Sequence, residues 1–475
     1  MSKRRNVITA LFVAHTLGVV SSLDALMSTR TSQGAVAWIV SLNTMPFVSV
    51  PAYWVFGRTK FQGYIIGRRE DDTRLYHELS PKIAQLEQRT ASLSQTYPPL
   101  QVIERLAKMP VQSGNHAELL INGEQTFDSI LAGIDAAEHL ILVQFYIVRD
   151  DQLGRELQRR LIERAREGLA VYLLYDEIGS YLLPRSYIDA LTEAGVQVRR
   201  FHSTQGWTNR FQVNFRNHRK IVVVDGRVGW VGGLNVGDEY LGRDERIGVW
   251  RDTHLKLEGP AVFGLQLSFI EDWHWASGEI LDFNPPELSS YDEGLLVLIL
   301  PSGPADRFDT ASLMVQHAIA SAQHRLWISS PYFVPDEGVL SALKIAALRG
   351  VDVRVLIPQR TDNVLTYLAA YAFIGPLLEA GVNIHRYEAG FLHGKAILID
   401  DAASAIGTVN FDNRSFRLNF EITAWVIDTG FAAQVQSMFE ADFEHAREMT
   451  PDEVTDHRWW FRIASRAAYL FAPVL

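Results

Sequence analysis

The chain has 475 residues, 47% of them hydrophobic, enough for two or three domains with sizeable cores. It contains no cysteine, which excludes disulfides, thiolate metal sites and a cysteine nucleophile. A formal net charge of −10 has the wrong sign for bulk attraction to nucleic acid or anionic lipid, so any anion-handling surface must be a local patch.

The first 69 residues differ in composition from the rest. Lys3, Arg4 and Arg5 precede an uncharged run from Val7 to Leu23; Asp24 and Arg30 then interrupt, and Ala35 to Phe56 is a second uncharged run of 22 residues. About 20 apolar residues cross the hydrocarbon core, so two spans are expected, at 7–27 and 35–56. The second is the better by length, with kinks expected at Asn43, Pro46 and Pro51. Trp38, Tyr53 and Trp54 lie near its ends, where amphipathic rings favour the headgroup region. A cleaved signal peptide is the rival reading of the first run, although no clean small-x-small cleavage site follows it. Three basic residues precede the first span, one lies between the spans, and Arg58, Lys60, Arg68 and Arg69 follow the second. Counting positive charges places both ends in the cytoplasm, joined by a short external turn.

Residues 70–99 are charged and polar, with spaced Leu75, Leu79, Ile83 and Leu86 before Pro98-Pro99, and read as a helical linker. An α/β pattern follows. Strands are expected at Leu140–Val148, Leu169–Tyr175 and Val196–Phe201, and helices at Gly154–Glu167 and Tyr187–Ala194. Ile221–Val224 is four consecutive β-branched residues, which fits a strand buried on both faces. The second half replays the order: strands at Leu326–Ser329, Val351–Ile357 and Ala396–Ile399, helices at Gly338–Leu348 and Tyr367–Ala380. Two similar α/β units are therefore expected, at 100–285 and 292–455, with a Pro/Ser-rich boundary near Asn284–Asp292. Residues 456–475 form an aromatic and basic segment with Arg458, Trp459, Trp460, Arg462, Arg466 and Phe471. Two readings are open for it: a helix packed on the domain, or a segment lying on a membrane surface.

The chemistry concentrates in a repeated string. His218-x-Lys220 leads to Asp225 and then Gly232-Gly233-x-Asn235; His393-x-Lys395 leads to Asp400 and then Gly407-Thr408-x-Asn410. The histidines are 175 residues apart, and in both copies histidine to asparagine is 17 residues. On a strand end, positions two apart share a face, so each imidazole lies beside an ammonium. The lysine suits a phosphate oxygen and depresses the histidine pKa, leaving a neutral imidazole fit to act as nucleophile or base. The glycines permit close backbone approach, and Asn235 and Asn410 offer amide donors to another non-bridging oxygen. Two such units meeting about a pseudo-twofold axis would hold a phosphodiester between two histidines. One attacks phosphorus; the other protonates the departing alkoxide and then deprotonates the incoming nucleophile. No metal and no cofactor is expected. Asp225 and Asp400, as members of the repeat, are candidate catalytic residues; a structural role, fixing the strand end, is favoured for them. There is no His-Glu-x-x-His string and no Walker-type phosphate loop.

At these residues the chain resembles the phospholipase D superfamily, whose signature is this duplicated His-x-Lys-(x)4-Asp. Within it, Gly232 to Tyr240, Trp250-Arg251-Asp252-Thr253-His254, Pro331-Tyr332-Phe333 and Arg414 to Glu421 are similar to bacterial cardiolipin synthases. The resemblance implies a pair of phospholipase D-like α-β-α units behind N-terminal transmembrane helices, on the cytoplasmic side of a bacterial inner membrane. It implies phosphatidyl transfer between two phosphatidylglycerols through a phosphohistidine, with His218 as nucleophile and His393 as acid/base. A carboxylate behind each histidine is also implied, at Asp252 and Glu421, with Asp252 expected to orient His218. Arg199, Arg200, Arg210, Arg216 and Arg219 are candidates to guide anionic headgroups, with an exposed basic edge as the plain alternative. Gln144-Phe145-Tyr146 departs from the Glu-Tyr-Tyr string expected of the family, which bears on the choice of acceptor alcohol if that position shapes the acceptor site. Alternatives are a phospholipase D-type hydrolase or a transphosphatidylase using another alcohol, and, from a different class, a non-catalytic binder of anionic lipid. A nucleic-acid partner is disfavoured by the acidic balance; oligomeric state is not legible.

Overall fold

A computed structural model describes residues 2–57, 98–201, 214–281, 291 and 294–475. The expected linker at 70–99, all but its last two positions, lies outside the described residues. So do Arg58, Lys60, Arg68, Arg69, Arg210 and nearly all of the expected boundary at Asn284–Asp292.

The first half contributes β1 (Gln112–Ile121), β2 (Leu140–Phe145), β3 (Ala170–Asp176), β4 (Gln197–Phe201), β5 (Ile221–Val224), β6 (Val228–Gly232) and β7 (Thr253–Glu258). The second contributes β8 (Leu295–Ser302), β9 (Arg325–Ser329), β10 (Asp352–Pro358), β11 (Asn383–Tyr387), β12 (Ala396–Ile399), β13 (Ala403–Gly407) and β14 (Asn419–Ile427). They form one sheet in the order β11-β10-β9-β12-β13-β14-β8-β1-β7-β6-β5-β2-β3-β4, with Ala446–Glu448 added beyond β11. Outward from the central antiparallel pair β1 and β8, both halves have the same strand order. The duplication seen in the motif is thus a duplication of the whole unit about a pseudo-twofold axis. The strands and helices expected from hydrophobic pattern recur with ends shifted by three residues or fewer.

Helices cover both faces of the sheet, and the strand sequences record this. Ile141 and Val143 of β2 and Val222 and Val224 of β5 pack in one layer, with Phe127, Leu157 and Leu191 of the outer helices. Their neighbours Leu142, Ile221 and Val223 point the opposite way, into a layer shared with Phe269 and Phe439. Alternation of side chains delivers successive residues to opposite layers, so a strand covered twice must be apolar throughout.

At the N-terminus, α1 (Ser2–Ser28) runs unbroken through Asp24, while the second apolar run divides into α2 (Ser32–Thr44), α3 (Pro46–Ala52) and a π-turn at Tyr53–Gly57. The second run is thus kinked at Pro46, as expected, while the first forms the longer unbroken helix. Pro46 has no N–H to donate and cannot continue α2, so the helix stops at Met45. Lys3–Ser28 is 26 residues and contains an 18-residue stretch of mean hydropathy 1.6, long and apolar enough to cross a membrane. Polar groups inside the runs pair across the hairpin: Tyr53 donates to Asp24 at 2.7 Å, Asn43 to Ser22 at 2.8 Å and Trp54 to Ser21 at 3.1 Å. The turn between α1 and α2 carries Arg30, which donates to Asp309 of the second half at 2.7 Å. This sets the turn against the second α/β unit.

Candidate active site

Each histidine enters the site from a two-residue strand that pairs with the other half of the molecule. Arg216–Asn217 runs parallel to Asn419–Phe420 at the start of β14, and the His218 N–H donates to the Phe420 carbonyl at 2.9 Å. Symmetrically, Phe391–Leu392 runs parallel to Trp250–Arg251, and the His393 N–H donates to the Arg251 carbonyl at 2.7 Å. After each histidine the chain passes through its lysine into the buried strand, β5 or β12. Both lysines turn back on their own motif: Lys220 Nζ donates to the His218 carbonyl at 2.6 Å, and Lys395 Nζ donates to that of His393.

These cross-unit ladders decide which carboxylate stands behind which histidine. His218 Nδ1 lies 2.9 Å from Glu421 Oε2, and His393 Nδ1 lies 2.6 Å from Asp252 Oδ2. Asp252 therefore belongs to His393, correcting the expectation that it orients His218. Glu421 and Asp252 are ionised acceptors, so each Nδ1 carries the proton and each Nε2 presents a lone pair. Lys395 Nζ also approaches His393 Nδ1 at 2.7 Å; with that nitrogen protonated the contact is electrostatic, not a hydrogen bond. Asp252 is fixed further by the Thr253 N–H at 2.8 Å. Aromatic rings wall the imidazoles: Tyr146 at 5.1 Å from His218, Trp250 at 4.9 Å and Tyr332 at 6.5 Å from His393.

Burial sets the charge states. It is the first cause pulling His218 down to about 4, with Glu421 opposing and Lys220 adding to it. His393 falls to about 3 through burial and then Lys395, against Asp252. The lysine effect expected from sequence is present, but it is the smaller one. Burial also lowers Lys395 to about 8 and drives Lys220 well below the usual ammonium range. Burial pushes the Asp252 carboxyl up, yet Lys395 and His393 together outweigh it and bring it to about 2. The site thus holds two neutral imidazoles over two anionic carboxylates.

Other candidates fall elsewhere. Asp225 and Asp400 sit at the far ends of β5 and β12, about 16 Å of extended chain beyond their lysines. Both adopt left-handed backbone, φ 52 and 50, and both cap backbone N–H groups. Asp225 accepts from Glu138, His139 and Leu140, each at 2.8 Å; Asp400 accepts from His324 at 2.7 Å and Arg325 at 2.9 Å. Their catalytic candidacy is withdrawn: they fasten the end of each buried strand. Gly233 makes room for the orienting carboxylate, since a Cβ there would stand 2.0 Å from Asp252 Oδ1. The two asparagines differ. Asn235 accepts from the Ile147 N–H at 3.1 Å and donates to Tyr240 at 3.0 Å, whereas Asn410 keeps a buried amide oxygen with no partner. Among the described residues that oxygen is thus an acceptor open to a ligand hydroxyl, not to a phosphate oxygen.

Arg219 does not guide headgroups. It is 4% exposed and donates to Asp272 at 3.0 Å, beneath the histidine-bearing segment. Gln144 donates to the same carboxylate at 2.7 Å and to Asn217 at 2.9 Å, so this departure from the family string is a buried brace and not an acceptor contact. Arg199 and Arg200 pair with Glu279 at 3.5 Å and Glu177 at 3.1 Å. Missed from sequence is Arg251, whose guanidinium grips Asp442 of the second half through two 2.7 Å bonds and donates to the Asp252 carbonyl. Its signal was its place beside Asp252 in the Trp250–His254 string.

A family model described as "Cardiolipin synthase, PLD-like domain" matches twice, at residues 130–257 and 315–443. Cardiolipin synthase A of Pseudomonas putida F1 is 48% identical over 472 residues, covering 98% of both chains. Cardiolipin synthase A of Pseudomonas fluorescens Pf-5 is 47% identical over 464 residues, covering 97% of each. Among solved structures, phosphatidylserine synthase of Haemophilus influenzae Rd KW20 shares the fold, with TM-score 0.59, 14% identity, and coverage of 80% of this chain and 100% of that one.

Proposed function

This chain belongs to the bacterial cardiolipin synthase family of phospholipase D-like phosphatidyltransferases, and on that premise we propose that it joins two phosphatidylglycerols into cardiolipin with release of glycerol. The observation that carries the proposal is the pair of imidazoles, each held through Nδ1 by a buried carboxylate 2.6–2.9 Å away and each free at Nε2. In this reading 100–285 and 292–455 are the catalytic units, and 1–69 anchors them at the cytoplasmic face of the inner membrane.

His218 Nε2 attacks phosphorus, the bond from phosphorus to the glycerol oxygen breaks, and the leaving oxygen takes its electron pair and a proton from His393. Burial favours neutral His393 before substrate binds. The bound phosphodiester sets a negative charge against both lysines, which favours the protonated imidazole for this first step. A second phosphatidylglycerol then gives its hydroxyl proton to His393 and attacks phosphorus, and the P–N bond returns its pair to His218. Lys220 and Lys395 stabilise charge on the non-bridging oxygens. One phosphodiester replaces another, so no nucleotide is consumed. The rings of Tyr146, Trp250 and Tyr332 limit water at the intermediate, whose hydrolysis would give phosphatidic acid.

The test is incubation of purified protein with labelled phosphatidylglycerol and chromatography of the products. Cardiolipin and glycerol in equal amounts are expected. Phosphatidic acid alone would sink the choice of acceptor. Absence of turnover, with lipid binding unchanged in His218→Ala, would mark a binding protein instead.

A further inference from the structure

We propose that the C-terminal helix builds a second lipid site, in which an anionic phospholipid headgroup sits between Arg462 and Arg466 and seats the catalytic body on the bilayer surface. The helix, Trp459–Tyr469, is fastened on one side only. Ser465 donates to the Leu368 carbonyl at 2.8 Å, Phe461 packs on Tyr371 at 5.0 Å and Tyr469 on Phe373 at 5.4 Å. Its other side, with the residues just beyond it, leaves large apolar groups in solvent: Trp459 is 74% exposed and Leu470 76%, with Trp460, Ile463 and Phe471 also exposed. Such a surface on a folded body calls for a partner, and tryptophan beside arginine is the composition of a membrane interface.

The cleft gives the partner its chemistry. It measures about 780 Å³ between this helix, the helix Val364–Leu378 and the turn Pro451–Thr455, within the roughly 300–1,000 Å³ typical of small-molecule sites. Arg462 and Arg466 line it one turn apart with His457, beside apolar groups that include Pro376, Val454 and Ala467, with the exposed Ile463 and Leu470 at its edge; Glu379 also lines it. Neither arginine forms an ion pair among the described residues, in a chain whose net charge is −10. Two unpaired guanidiniums above apolar groups match a phosphate head with acyl chains beginning beneath it. The segment is also tied to the membrane hairpin. Leu475 accepts from the Arg414 N–H at 2.7 Å, Arg417 on the same short helix pairs with Asp309 at 3.5 Å, and Asp309 holds Arg30. The site is separate from the histidine chemistry and stands or falls without it.

The natural chain has no cysteine, so single cysteines report unambiguously. Ile463→Cys and Leu470→Cys, with Glu193→Cys on the first unit as control, are spin-labelled in the full chain and reconstituted into vesicles. With phosphatidylglycerol present, the 463 and 470 labels should gain collisions with oxygen and lose them with a water-soluble nickel chelate, and the control should not change. Pure phosphatidylcholine should give no shift. Arg462→Glu with Arg466→Glu should abolish the shift while cardiolipin formation in detergent stays within about twofold. The proposal is overturned if the labels behave alike in both lipids, if charge reversal leaves the shift intact, or if glycerol 3-phosphate in solution produces it without vesicles.

Discussion

Crossed pairing makes a prediction that in-unit pairing reverses. Asp252→Asn removes the charge behind His393 and leaves the His218–Glu421 contact at 2.9 Å untouched; Glu421→Gln does the opposite. An imidazolium and a carboxylate whose centres are about 4 Å apart attract by about 4 kcal/mol at an effective dielectric of 20. Losing that support for the protonated histidine should therefore slow its step about 10³-fold. The assay uses a phosphatidyl donor with a good leaving group, whose departure needs no acid, and acid-quenched detection of labelled enzyme. His393→Ala should then accumulate about one equivalent of phosphoenzyme and His218→Ala none, which fixes the nucleophile independently. Asp252→Asn should behave like His393→Ala, and Glu421→Gln like His218→Ala. If each carboxylate variant instead copies the histidine of its own unit, the crossed geometry is wrong, whichever histidine attacks.

Four further outcomes follow from single contacts. Lys395, lowered to about 8, loses its charge as pH rises through that value, so kcat/KM should fall on the alkaline side of pH 8; in Lys395→Arg, whose guanidinium stays charged, that limb should vanish from the measurable range even though the rate at pH 7 drops. Breaking the Arg251–Asp442 pair by Arg251→Met should lower stability by about 3–5 kcal/mol, because it strands a buried carboxylate, and adding Asp442→Leu should recover most of the loss in denaturant titrations. In Gly233→Ala the new Cβ must displace the Asp252 carboxylate 2.0 Å away, so turnover should approach that of Asp252→Asn while denaturant stability falls by only about 1–3 kcal/mol. Finally, Ser32→Cys, the sole cysteine of its chain and two residues from an intact Arg30, should resist an impermeant maleimide applied to intact spheroplasts, as the 2.7 Å contact of Arg30 with Asp309 requires; modification from outside would discard that contact in favour of the external turn.

Much of this molecule was legible in its sequence because repetition is. Equal spacing from histidine to asparagine marked two copies of one unit, and unbroken β-branched runs such as Ile221–Val224 marked strands covered on both faces. Partner choice was not legible. Asp252 lies 34 residues after His218, and Glu421 lies 28 after His393, so nearness in the chain favours the wrong pairs. The pairs that form are 141 and 203 residues apart. They are selected by two-residue ladders too short to leave a pattern. Charge misled in the same way. Arg219 reads as one more basic residue in an exposed cluster until Asp272 is seen beneath it, and Asp24 reads as the end of a helix until Tyr53 is seen to donate to it across the hairpin.

The crossing also bears on why two copies stay joined. A unit that carried its own histidine and its own orienting carboxylate could keep half a site when separated, and a symmetric pair of them would tolerate drift at the interface. Here each unit holds the carboxylate of the other. The ladder that presents His218 is also the one that starts β14 toward Glu421, and the ladder that presents His393 ends at Arg251, one residue before Asp252. A shift of one residue in either ladder would move a histidine to the wrong face of its strand and pull a carboxylate from the other imidazole at once. The Arg251–Asp442 clasp lies beside that joint and resists such a shift. Catalytic geometry and domain docking are thus the same set of contacts, so substitutions at the interface should register in turnover before they register in unfolding.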